Sequence, residues 1–377
     1  MFLNSPKMRV AVVGGGLVGL CAALRLSEAN AHVSIFDAAQ PGEGASWAAA
    51  GMLAPAYESA AEPGAHPQLF DLCVAGATAW KAFGEWIEDK HPGVLSLDGP
   101  GALACAVTAQ QVANLDSLAK AMDARQVAYN RLDGCEARKA DNNLSPNVLA
   151  ALEMPTDQQV DNWGVLSALK TRLNEVGVPI HANQTVDRLS SNASGWDIPG
   201  FGVFDKIVWA TGVDAAAQIL IDGVPVQLCP DSAIVPVKGQ LLSIAPSPVT
   251  PHRVLRFGAG YVAPKASRVV IGATSEWGVN DRSVTDEATI LLRQQAAEIC
   301  PGLAHGDIQM AWAGVRPGTP DHAPIIGRTQ FDGIVLAAGH YRNGILLSPL
   351  TGEYVRDILL EKDLSPLAEA FSVERFL

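Results

Sequence analysis

The stretch from Arg9 to Asp37 constrains this chain more than any other. Residues 9–13, Arg-Val-Ala-Val-Val, read as a short buried strand, and Gly14, Gly15, Gly16, Leu17, Val18 and Gly19 follow with the spacing G-x-G-x-x-G. In such a turn the first glycine permits the tight reversal and the second lets backbone approach a pyrophosphate. The third lets helix pack closely on strand, and the positive end of that helix favours phosphate charge. A helical stretch from Leu20 to Ala29 and a second strand, His32–Phe36, lead to Asp37. A carboxylate at that distance accepts hydrogen bonds from the ribose hydroxyls of an adenosine. A merely tight turn with a surface aspartate would need the whole strand–turn–helix–strand context to be coincidence. The expectation is a Rossmann-like dinucleotide-binding unit.

Two later segments favour FAD over NAD. Residues 45–54, Ala-Ser-Trp-Ala-Ala-Ala-Gly-Met-Leu-Ala, are mostly small, which lets backbone lie against a large flat ring. A closely packed helix start is the alternative for this run. Residues 206–210 form a strand leading into Ala210-Thr211-Gly212, as if returning to the first sheet after a long excursion. A nicotinamide enzyme more often completes its nucleotide domain in one stretch.

The 377 residues are too many for one ordinary core. Helical patterns cover 68–89, 110–125, 163–176 (with Asp161 or Asn162 as cap) and 285–299. Short strands at 240–245, 253–257, 261–263 and 268–273 form a meander suited to an antiparallel wall over a ligand. The fold class expected is α+β, a Rossmann-like FAD-binding domain with a substrate domain on an antiparallel sheet. The FAD domain is assigned residues 6–90, 157–222 and 310–365, and the substrate domain 91–156 and 223–309.

A formal net charge of −12 gives no general reason to bind nucleic acid or an anionic membrane. Six scattered cysteines without a C-x-x-C pair argue for a reducing compartment and against a metal site. Lys7 and Arg9 before the apolar Val10–Leu24 stretch imitate a signal peptide, but four glycines interrupt it and Arg25 closes it. A cytoplasmic protein without stable membrane association is expected. Monomer and homo-oligomer stay open.

Toward the C-terminus a strand at 310–314 precedes Val315-Arg316-Pro317-Gly318-Thr319. The strand Ile334–Ala338 then runs into Gly339-His340-Tyr341-Arg342-Asn343-Gly344-Ile345, with a helix expected from Pro349. Free N–H groups at this helix start would stabilise negative charge on a reduced flavin. Arg316 and Arg342 stand in apolar, glycine-rich surroundings where a guanidinium fork matches a carboxylate. Either arginine is also readable as the partner of Asp321 or Asp332. His340 is a candidate base, although a histidine in such a turn more often packs against backbone.

At these residues the sequence resembles the glycine oxidase type of FAD-dependent amine oxidases, in the D-amino-acid oxidase group. The resemblance rests on residues 12–19, Ala48-Ala49-Ala50-Gly51-Met52-Leu53, Val237-Lys238-Gly239, Gly272-Ala273-Thr274, Trp312–Thr319 and Gly339–Leu347. It implies that Arg316 holds the substrate carboxylate, that Arg342 assists, and that Tyr261 covers it. FAD, held non-covalently, would meet Gly14, Gly16, Leu17, Val18, Gly19, Asp37, Ala38, Ala45 and Ser46 around its dinucleotide. Ala50, Gly51 and Met52 would lie along the ring, Val186 at the adenine end, and Gly212 beside the returning strand. His340, Tyr341, Arg342, Asn343, Gly344, Ile345 and Leu346 would contact the flavin through backbone. Trp47, Ala259 and Ser275 depart from the family pattern, which bears on substrate preference.

The activity so implied is oxidation of glycine or another small amino acid to its imine, with O2 reduced to H2O2, feeding thiamine thiazole synthesis. A D-amino-acid dehydrogenase that passes electrons to a quinone is the alternative within the class. A flavin-binding scaffold without turnover is the alternative outside it.

Overall fold

A computed structural model describes residues 7–60, 62–93, 95 and 99–377. Residue 6, where the expected FAD domain begins, lies outside the described residues. Among them, one sheet runs in the order Ile325–Arg328, Ile334–Ala338, Lys206–Trp209, Arg9–Val13, His32–Phe36, Ile180–His181. All its pairings are parallel except that of Ile325–Arg328 with Ile334–Ala338. Val10, Ala11 and Val12 are fully buried because helices cover one face and a second core the other. The strand at 206–209 thus returns beside the first strand, as its sequence position suggested.

The glycine turn works through close backbone approach. Gly14 has φ +107°, and a Cβ there would lie 2.2 Å from the Ala210 carbonyl oxygen. A Cβ on Gly19 would lie 1.9 Å from the Gly14 oxygen, so only glycine lets the helix Leu17–Glu28 sit this near the strand. That helix starts at Leu17, three residues before the apolar pattern suggests, because the last part of the motif, Leu17-Val18-Gly19, already forms its first turn behind the Gly16 N-cap.

Other elements differ from expectation in instructive ways. The small-residue run forms one helical turn, Ala45–Ala48, and then a strand, Met52–Leu53, paired with Gln158–Gln159. Neither candidate caps the helix Asn162–Glu175 by its side chain. Asp161 pairs with Arg268 at 3.0 Å, and Asn162 holds the Ser46 and Trp47 carbonyls at 2.9 and 3.0 Å. The last long helix spans Gly344–Leu359 with Pro349 inside it. Proline there cannot donate to the Ile345 carbonyl. The Trp80 indole N–H (3.0 Å) and the Ser348 hydroxyl (2.9 Å) donate to it instead, which lets the helix begin early.

The wall sheet runs Glu276–Trp277, Val235–Ile244, Val269–Gly272, Gly260–Pro264, Val254–Phe257, Ala102–Ala106, Ala150–Met154, Asn130–Asp133. Ile308–Gly318 pairs along the free side of Val235–Ile244. It is antiparallel throughout except where Val254–Phe257 meets Ala102–Ala106. The strand Ile308–Gly318 carries Arg316, so the wall delivers that arginine to the edge of the nucleotide unit.

Gly19→Ala should lower Tm and FAD content together, because its methyl collides with backbone that cannot step aside. A cost of at least about 1–3 kcal/mol is expected. Thermal unfolding and the flavin-to-protein absorbance ratio check it, and normal values for both would contradict this packing.

Candidate active site

One connected cavity of about 530 Å³ runs between the glycine turn and the wall. Asp37, Ala38 and Val186 line one end, and Gly14, Gly16, Leu17 and Val18 the next stretch. Ala45, Ser46, Ala50, Gly51, Met52 and Gly212 continue along it. Tyr261, Arg316, His340, Tyr341, Arg342, Gly344 and Ile345 also line it. Gly19, Asn343 and Leu346 do not. Gly19 packs helix on strand, and the Asn343 and Leu346 side chains are buried.

The cavity's construction suits a dinucleotide. The helices at Leu17 and Gly344 begin without a side-chain cap, and both open on the cavity. Uncapped first-turn N–H groups favour anionic or electron-rich ligand atoms. Ser46 reaches the first of them, its hydroxyl accepting from Leu17 N–H at 2.9 Å. A Cβ on Gly16 would meet only that hydroxyl, at 3.4 Å, and one on Gly212 nothing within 4 Å, so open space runs along the cradle. The Asp37 carboxylate accepts from Gly15 N–H (2.6 Å) and Ala39 N–H (2.8 Å). Its remaining lone pairs are available to hydroxyl donors.

At the wall, Arg316 lies flat over a missing side chain. A Cβ on Gly239 would stand 2.3 Å from its guanidinium, and one on Gly272 would stand 2.6 Å from the Tyr261 hydroxyl. Arg316 donates to the Thr274 carbonyl at 3.2 Å. Among the described residues it has no carboxylate within ion-pairing distance. Burial, with repulsion from Arg342, pulls its pKa below the usual guanidinium value. Burial pushes the Tyr261 hydroxyl up to about 12, so it remains a proton donor across ordinary pH.

Arg342 differs. Its Nε stands 2.5 Å from Glu58 Oε2, close as an ion pair though off the line of a hydrogen bond. The other Glu58 oxygen pairs with Arg256, whose side chain is fully buried. Asp157, also buried, accepts from the Ala56 and Tyr57 N–H groups (3.2 and 3.1 Å), and desolvation lifts it to about 6. Neither arginine pairs as the nearby aspartates suggested. Asp321 is held by Arg375 at 2.7 Å, and Asp332 gives its carbonyl to Trp196. His340 shares a 2.9 Å hydrogen bond with the Thr351 hydroxyl, and burial drops its pKa to about 3. It is a neutral packing residue rather than a base.

Sequence reading missed Glu58, Arg256 and Asp157. Glu58 is the one charged residue in the run from Met52 to Ala60, and Arg256 sits inside the strand Val254–Phe257; those were the available signals. Trp47 stacks on Trp163 (5.2 Å between centroids), itself covered by Arg268 at 3.6 Å. Trp163 and Trp312 donate to the Trp47 and Ala48 carbonyls, both at 2.9 Å. The tryptophan therefore braces the small-residue loop.

A family described as FAD dependent oxidoreductase matches residues 9–358. The chain belongs to that family. It is 32% identical over 377 residues to a glycine oxidase of Geobacillus kaustophilus, covering 98% of this chain and 97% of the relative. A crystal structure of glycine oxidase from that organism superposes with a TM-score of 0.87 at 31% identity, over 98% of this chain and 100% of the other. The bifunctional protein ThiO/ThiG of Synechocystis is 32% identical across 98% of this chain, which spans about half (54%) of that longer protein.

The chain is thus an FAD-dependent amine oxidase with non-covalent FAD. No cysteine lines the cavity; five of the six are buried and Cys135 is exposed elsewhere. No helix among the described residues is long and apolar enough to cross a membrane. Purified protein should be yellow, and acid or heat should leave all flavin in the supernatant, identified as FAD by chromatography. Flavin retained on the precipitated chain would contradict non-covalent binding.

Proposed function

We propose that this protein oxidises the C–N bond of glycine, or of another small amino acid, with O2 as acceptor and H2O2 as product. The imine then feeds thiamine thiazole synthesis in the cytoplasm. The observation that carries the reading is Arg316, a desolvated guanidinium on the cavity wall without a carboxylate of its own. A partly buried, desolvated cation of this kind is expensive unless an anion pairs with it. The similarity to glycine oxidase and to ThiO/ThiG supports the choice of substrate and pathway.

In this reading the Arg316 fork takes the substrate carboxylate in two parallel hydrogen bonds, and Tyr261 donates a third from the side. That fixes Cα toward the loop Ala50–Met52 and spends binding energy on orientation. Bound FAD supplies the two-electron acceptor for the hydride leaving Cα. Among the described residues no free base stands ready near Arg316. Tyr261 keeps its proton, Glu58 is pinned between arginines, and His340 is neutral and turned to Thr351. The amine therefore enters uncharged, and its lone pair forms the C=N bond as hydride departs.

Purified protein with glycine should consume O2 and release peroxide. Turnover only with an artificial acceptor would indicate a dehydrogenase, and none with either would indicate a scaffold. Arg316→Ala and Arg316→Lys should both cripple turnover while FAD stays bound, at a cost of about 2–5 kcal/mol in kcat/KM. Lysine lacks the fork. Glycine turnover of Arg316→Ala within about threefold of wild type would remove the clamp.

Size selection follows from the wall. Glycine's few atoms limit its binding to about −7.5 kcal/mol at best, and a site that must desolvate two ions should give high micromolar to millimolar affinity. Ala259 and Ser275 line the cavity with small side chains, leaving room for a methyl group worth about 0.8 kcal/mol. A Michaelis series should accept glycine, sarcosine, D-alanine and D-proline and disfavour D-phenylalanine. A clear preference for D-phenylalanine would contradict this pocket.

A further inference from the structure

The oxidation proposed above leaves one buried acid at the cavity without a task. Glu58 lines the cavity with Arg342, and its side chain is only 5% exposed. One oxygen lies beside Arg342 Nε and the other pairs with Arg256 Nη2. Arg256 is wholly buried between two aromatic rings, 4.5 Å from Tyr57 and 5.6 Å from Tyr261, and its Nε and Nη1 have no partner. Removing its counter-ion would leave a bare charge in the core, so an incoming carboxylate cannot displace Glu58.

The Glu58 carboxylate stands beside Arg342 at Nε. The two outer nitrogens of Arg342 make no hydrogen bond to described residues, and the side chain is 20% exposed. Glu58 therefore cancels the charge of Arg342 without consuming its hydrogen-bonding fork. The Glu58 carboxylate lies in the field of Arg256, Arg342 and Arg316, and it is the carboxylate paired with Arg342 on the cavity wall.

We propose that Glu58 restricts this site to amino acids bearing a single carboxylate, by neutralising Arg342 while leaving its outer nitrogens open to the cavity. The inference rests on reading Arg316 as the carboxylate clamp. A second carboxylate on the substrate would approach Arg342 only beside the Glu58 carboxylate that already neutralises it, a like-charge contact. Glycine and sarcosine avoid that contact, whereas iminodiacetate and D-aspartate do not.

The test compares kcat/KM for glycine and sarcosine with that for iminodiacetate and D-aspartate, in wild type, Glu58→Gln and Glu58→Asp, with flavin content measured in each. The dicarboxylate-to-monocarboxylate ratio should rise about tenfold in Glu58→Gln, mainly through KM, as one like-charge repulsion is relieved. Glu58→Asp should retain the wild-type preference. A rise of threefold or more sustains the proposal, and a smaller one overturns it. If Glu58→Gln does not fold, the double variant Glu58→Gln/Arg256→Gln removes the buried pair together at unchanged net charge and must still raise the ratio threefold or more, because the carboxylate beside Arg342 is gone. Acetate and malonate, titrated against the flavin spectrum, report the preference without turnover. Malonate bound as tightly as acetate by wild type would overturn the proposal with no variant at all. If Arg316→Ala leaves glycine turnover intact, the underlying clamp fails. If Arg316→Ala is crippled and the ratio stays below threefold, only the role of Glu58 fails.

Discussion

The Arg316 end of the cavity depends on side chains that are absent. On one face of the wall, Gly239 pairs directly with Gly314, and Gly272 pairs with Tyr261. Arg316 stands opposite Val237, one diagonal step from Gly239, and leans across it because nothing fills that place. Tyr261 lies across Gly272 in the same way. The third glycine admits the small-residue loop: a Cβ on Gly314 would stand 2.4 Å from the Ala48 methyl. A sheet face without these Cβ atoms becomes a floor on which one guanidinium, one phenol and one loop lie flat. Since the ladder fixes register, a slip of one residue would turn Arg316 to the other face and empty the site.

That floor also explains how so many charges tolerate burial. Arg256, Glu58 and Arg342 form a chain of paired ions rather than isolated ones, and Asp157 accepts from backbone N–H groups nearby. A buried pair adds little net stability against an apolar replacement, yet losing one member is expensive. The chain is therefore best understood as geometry and charge control beside Arg316. Arg316 stands outside it, supported by one backbone carbonyl, and this asymmetry separates the two arginines that the sequence presents as similar.

Much of this was legible from local pattern. The strand–glycine–helix–strand unit, the returning strand at 206–209 and the antiparallel wall all follow from short-range periodicity and glycine spacing, which act within a few residues. The helix around Pro349 was not legible at its start, because its tolerance depends on Trp80, distant in sequence, donating to the Ile345 carbonyl. Glu58 was hidden for the same reason. Its meaning lies in arginines about two hundred and about three hundred residues further along, and no pattern in its own segment encodes them. His340 was ambiguous in sequence, and the Thr351 hydroxyl, eleven residues along, decided it.

Trp47 illustrates how a departure from family pattern can be absorbed by packing. A small hydroxyl residue there could not stack, whereas the indole extends a pile in which Arg268 covers Trp163, Trp163 covers Trp47, and Trp312 meets Trp47 edge-on. Each of the flanking indoles donates to a carbonyl of the same loop, so the pile and the loop backbone hold each other. Arg268 in turn is anchored to Asp161 at the start of the helix Asn162–Glu175, whose Asn162 reaches the same loop. The loop that lines the cavity at Ala48–Met52 is thereby fixed from outside by elements of the wall and the nucleotide unit together. Its small residues can face the cavity because the large ones that immobilise it are all on its other side.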